Sequence, residues 1–186
     1  HSANFAKLKR NAAFTSFSIV TLASALAVGG SRAALFQPAL IYQRIDTASL
    51  VPARYMVIAS SLSALAVTGV AIAASELDPA EAAVIGIAGA VPVIYDWARY
   101  RAIGASRRWT VAIGDGIRLL LVCATALPLL AANTMAFMIA IGVSCAVATG
   151  YILCQSPFPV KPYPYREYRS SALWHTLGFA VAQVVV

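Results

Sequence analysis

Between Leu119 and Val160 the chain carries no charged side chain. That stretch has room for two helices of the roughly 20 residues a bilayer crossing needs. Shorter charge-free runs precede it at Asn11 to Gly30, Tyr55 to Ser75 and Ala82 to Tyr95. The runs are continuous and rich in Ala and Gly, without the alternation of apolar and polar residues that a membrane barrel shows. Inside hydrocarbon every backbone N–H and C=O must find its partner within the protein, so such runs are read as helices. Composition agrees, with 60% hydrophobic and 11% charged residues, far from the balance of a soluble domain.

The expected fold is therefore all-α, a polytopic bundle of about five complete spans and a partial sixth. The first four spans are Asn11 to Gly30, Tyr55 to Ser75, Ala82 to Tyr95 and Trp109 to Leu130; the fifth is Thr134 to Cys154. Residues 1–155 form the bundle. Residues 156–171 form a linker, because four prolines between Ser156 and Pro164 cannot continue a helix. Residues 172–186 begin a further span. The turn from Glu76 to Glu81 separates the second and third spans, with Asp78 expected as an N-cap and Pro79 at the first helical position. The segment Asp96 to Arg108 is expected as a basic interfacial loop, with Trp97 and Tyr100 in an aromatic belt.

Basic residues concentrate in the cytoplasmic loops of membrane proteins. One side would hold Arg32, Arg44, Arg54, Arg99, Arg101, Arg107, Arg108, Lys161, Arg166 and Arg169, whereas the other holds Lys7, Lys9 and Arg10 with the acidic turn. This asymmetry predicts a multi-pass membrane protein, its visible N-terminus outside and one further span ahead of it. The excess of 14 basic over 7 acidic residues thus reads as orientation and not as affinity for nucleic acid.

Few residues offer chemistry. Asp115 and Arg118 stand three apart, so they share a helix face and can pair; they read either as the lining of a polar cavity or as a structural pair near the surface. Arg32, beside Gly29 and Gly30, reads as a ligand for an anionic head group or as a positive-inside anchor. Gln37 and Pro38 suggest a broken helix that exposes backbone groups to a substrate. Asp96 and Arg99 are candidates for a structural or gating role. Cys123, Cys145 and Cys154 lack paired spacing and read as small packing residues, and His1 and His175 suggest no metal. No nucleophile, acid–base set or phosphate loop assembles, which argues against an enzyme and against a cofactor. Small residues four apart, Gly86 with Ala90 and Gly142 with Ala146, predict close helix approach.

Two segments carry a resemblance. One runs from Gly30 through Arg32, Gln37 and Pro38 to Tyr42; the other runs from Asp96 through Arg99 and Arg108 to Asp115. Together they resemble bacterial polysaccharide biosynthesis membrane proteins of the flippase kind, in the multidrug and oligosaccharidyl-lipid exporter superfamily. In that family an Arg-Ala-Leu stretch leading to Pro ends the second helix, an Asp with a following Arg ends the fourth, and a second Asp opens the fifth. Here Arg32, Pro38, Asp96, Arg99 and Asp115 fill those places, whereas Gln37 departs from the acid many relatives carry. The resemblance implies the N-terminal half of a transporter that flips a lipid-linked saccharide across a bacterial inner (plasma) membrane, with arginines holding its diphosphate. The competing expectation is a non-catalytic subunit whose helices pack against other membrane proteins. Membrane lipids are partners under either expectation.

Overall fold

A computed structural model describes residues 2–36, 53–74, 77–126 and 133–155. Gln37, Pro38, the linker 156–171 and the segment 172–186 lie outside the described residues, as do His1, Arg44, Glu76 and His175. Among the described residues the fold is all-helical. Helix α1 spans Ser2–Ser31 and α2 spans Ala53–Ala74. Helix α3 spans Pro79–Gly104, α4 spans Arg108–Leu121 and α5 spans Thr134–Gln155. Four stretches are long and apolar enough to cross a membrane: Met56–Ala74, Pro79–Gly104, Arg108–Ala126 and Met135–Gln155; Phe17–Ser31 of α1 is apolar but shorter. The described residues thus form a bundle of helices, four to five of them long and apolar enough to span a membrane.

Helix α3 is the axis of the bundle, packed against α2 on one side and α5 on another, with α1 resting mainly on α2 and α4 mainly on α5. Small residues allow this. A Cβ on Gly86 would lie 2.6 Å from the Ala64 carbonyl oxygen and would also strike Thr68 of α2. Pro92 stands inside α3 without ending it, but it denies the Ala88 carbonyl its helical donor. At that point α5 comes closest: a Cβ on Gly142 would sit 3.2 Å from both Cα and O of Ala88. Ala90 is buried, as the small-residue spacing predicts, whereas Ala146 faces outward. Large apolar side chains such as Leu62, Leu65, Ile87, Leu119 and Leu120 point away from the bundle, the arrangement expected where the surrounding solvent is lipid.

The turns follow their residues. Asp78 caps α3, its carboxylate accepting from the Ala80 N–H at 3.3 Å, with Pro79 at the first helical position. Asn133 caps α5, its side-chain oxygen accepting from the N–H groups of Met135 and Ala136 at 2.8 and 3.2 Å. Helix α3 ends with Arg107 N–H on the Ala102 carbonyl and Ser106 N–H on that of Ile103. Ser106 there takes φ 61°, the left-handed residue of a Schellman closure.

Two helices change winding at their C-terminal ends, α1 at Arg32–Phe36 and α4 at Val122–Ala126, both as π-helical turns. In sequence a proline stands two residues beyond each turn, Pro38 and Pro128. Proline leaves the carbonyl four residues before it without a helical donor, and π winding is one way a helix absorbs that defect.

One expectation is corrected here. The segment from Asp96 is not an interfacial loop but the last third of α3, which stays helical to Gly104. Tyr95, Asp96, Trp97, Ala98, Arg101 and Ala102 are all buried, so Trp97 belongs to the core and not to an outer belt. Charge was the misleading signal: Asp96 and Arg99 are paired with Arg32 of α1 and Asp115 of α4, so they do not mark a loop.

Candidate functional site

Arg32 opens the π-helical turn that ends α1, and its side chain turns onto α3. Nε and Nη2 of Arg32 donate to one carboxylate oxygen of Asp96 at 3.0 and 2.8 Å. The Asp96 side chain is 2% exposed and that of Arg32 32% exposed, so a sealed anion is held by a cation that reaches outward. Phe36, at the end of the same turn, stacks on Tyr100 with ring centroids 5.8 Å apart. This contact fixes the turn against α3.

The neighbouring face of α3 carries Tyr95 and Arg99, one helical turn apart and therefore side by side. Both reach Asp115 of α4. The Tyr95 hydroxyl donates to Oδ1 of Asp115, and Nε of Arg99 donates to Oδ2 at 3.1 Å. This second ion pair is far more open than the first, with side chains 31% and 39% exposed. Arg118, one turn further along α4, lies over the Tyr95 ring, 5.1 Å from its centroid. It also faces the Cys145 thiol of α5.

These groups form one electrostatic unit. Arg99 and Arg118 act on Asp96 as well as on their nearer partners, and Asp115 and Tyr100 act on Arg32. Three arginines face two aspartates, leaving one positive charge in excess. At about 1.5 Å per residue, Asp115 and Arg118 lie roughly 10 and 15 Å along α4 from Arg108, beside which Trp109 is 83% exposed, as a tryptophan at a membrane interface would be. Within a bilayer, ionisable groups so far from a helix end are costly unless paired, and they mark pathways or binding sites more often than scaffolds. Helix α1 packs mainly on α2 and α4 mainly on α5, and both also touch α3; the partly exposed side chains of Arg32, Arg99 and Asp115 line the open region between α1 and α4 over α3, the cleft.

The structure thus brings together Arg32, Asp96, Arg99, Asp115 and Arg118, and Gln37 and Pro38 are outside the described residues. The expected Asp115–Arg118 pair is replaced: Asp115 is taken by Arg99 and Tyr95, and Arg118 by an aromatic face. Tyr95 escaped the sequence reading. Its signal was present, since it stands four residues before Arg99 and so on the same helix face. Among the cysteines only Cys145 is a packing residue; Cys123 and Cys154 are exposed. A further cation, Arg101, lies 4.7 Å from the Trp97 ring centroid, on a part of α3 separate from this cluster.

Among the described residues, fold and site together define a class, an all-helical membrane bundle with a charged cluster shared by three of its helices. No family model, curated protein or solved structure matches the chain.

Proposed function

We propose that the cleft between α1 and α4 receives the anionic head group of an amphiphile, a lipid-linked oligosaccharide or similar, and that the chain is part of a flippase-like transporter. The observation that carries this reading is the excess positive charge of three arginines around two aspartates, set among helices apolar enough to cross a membrane. An amphiphile suits the place, because its chains stay among the outward-facing leucines while its head group reaches the arginines. Within the cluster the roles divide. Arg32 is spent on a sealed aspartate and serves the architecture; Arg118, in neither ion pair, is the cation available to a ligand. A guanidinium can present two parallel donors to a phosphate, which an ammonium cannot.

The test is flipping of a fluorescent lipid phosphate in vesicles containing the reconstituted protein. A hydrogen bond to a charged group contributes about 1.5–3 kcal/mol, so Arg118→Ala is expected to weaken half-saturation about tenfold or more. Leu65→Ala, on the outward face, leaves it unchanged. Equal half-saturation in Arg118→Ala and the parent would refute the assignment of Arg118.

A further inference from the structure

Asp115 differs from Asp96 in a way that bears on how the cleft is used. Asp96 is sealed and held by two N–H groups of one arginine. Asp115 is open, and its two oxygens are met by donors from two different residues of α3, the Tyr95 hydroxyl and the Arg99 guanidinium. Arg118 stands above the same tyrosine ring. Converging donors with an excess of positive charge are what an anion-binding position consists of, and this one is already filled by a carboxylate from the protein itself.

We infer that Asp115 is a built-in occupant of a phosphate position formed by Tyr95, Arg99 and Arg118, and that an incoming phosphate head group displaces it. This rests on the head-group reading above. A phosphate offers three acceptor oxygens, one more than the carboxylate, and so engages Arg118 together with Arg99 and the phenol. The exchange is feasible because both members of the Arg99–Asp115 pair are about one-third exposed, so the carboxylate has water to move into. It also has a mechanical consequence. The two hydrogen bonds that Asp115 makes join α4 directly to α3, and ligand entry replaces them with a bridge through the phosphate, from Arg118 of α4 to Tyr95 and Arg99 of α3. Arg32–Asp96 is untouched, so the tie between α1 and α3 is the same with and without ligand.

The charged groups facing Asp115 are Tyr95 and Arg99 from α3, Arg118 from its own helix and, more distantly, Arg32 from α1. A simple ligand-binding residue would weaken binding when changed; a competitor strengthens it. Binding of dodecyl phosphate to the purified protein in detergent, followed by calorimetry, separates the two. Asp115→Asn is expected to tighten dodecyl phosphate about tenfold, and Arg99→Gln to cancel that gain in the double variant. Unchanged or weaker binding in Asp115→Asn, with the parent still binding, overturns the inference and leaves the head-group reading intact. A gain that persists with Arg99→Gln also overturns it, because the effect is then long-range charge and not release of Arg99. Absence of saturable binding in both parent and Asp115→Asn refutes the head-group reading, and the inference with it. Asp115→Ser repeats the comparison should the asparagine variant fail to elute as folded protein. Inorganic phosphate forms a second arm: the same pattern with either probe supports the site, and its confinement to dodecyl phosphate assigns the ligand as an amphiphile.

Discussion

Removing Arg32 isolates a buried anion. In Arg32→Ala the Asp96 carboxylate, 2% exposed, loses both of its 2.8–3.0 Å donors; Arg99 and Arg118 act on it only from further away. Breaking a buried pair from one side costs about 3–5 kcal/mol, mainly the desolvation of the charge left behind. With the scaling of chains of this size, where about 1 kcal/mol moves Tm by roughly 2–4 °C, the melting point falls on the order of 10 °C. Asp96→Asn removes the charge that needs compensation and leaves a cation with access to water, so it costs less, about 1–2 kcal/mol. The double variant Arg32→Ala with Asp96→Asn then recovers much of the loss, a coupling that a double-mutant cycle measures directly. The assay is fluorescence-detected thermal unfolding in detergent at fixed lipid content. A Tm for Arg32→Ala within about 1 °C of the parent, or a double variant no better than the single, would refute the sealed-pair account.

Two other outcomes follow from the packing and the turns. Gly86→Ala forces α2 from α3, since the added carbon meets the Ala64 carbonyl and Thr68; a loss of about 1–3 kcal/mol is expected for overpacking, whereas Gly69→Ala, with nothing within 4 Å, loses nothing by the same unfolding assay. Ser106→Gly relieves a left-handed residue at φ 61° and is expected to stabilise the α3–α4 turn by about 1 kcal/mol, read as a rise in Tm.

Most of the helices were legible because each rests on a local signal. The charge-free run beyond Leu119 marks α5 and the end of α4, and Asp78-Pro79 marks the start of α3 through the ordinary chemistry of a helix N-terminus. The third helix was misjudged for the opposite reason. Its last third carries Asp96, Arg99 and Arg101, which count as surface when taken alone. The partner that allows Asp96 to be buried, Arg32, lies 64 residues away, and no periodicity within α3 reveals it. The same limit explains Asp115. A three-residue spacing favours Arg118, but the tertiary approach of α3 supplies Tyr95 and Arg99, which meet both carboxylate oxygens at once. Sequence therefore identified the charged members of the cluster, and the fold decided which of them pair.

The central claim is that this membrane bundle contains a watery, anion-receiving cleft at the level of Arg118. It is tested by replacing Cys123, Cys145 and Cys154 to give a background without thiols, then comparing Arg118→Cys with Leu65→Cys in sealed vesicles. A positively charged, membrane-impermeant thiosulfonate is expected to label position 118 and to leave position 65 unlabelled. If position 118 is as inert as position 65, the cleft does not admit water and the account is contradicted.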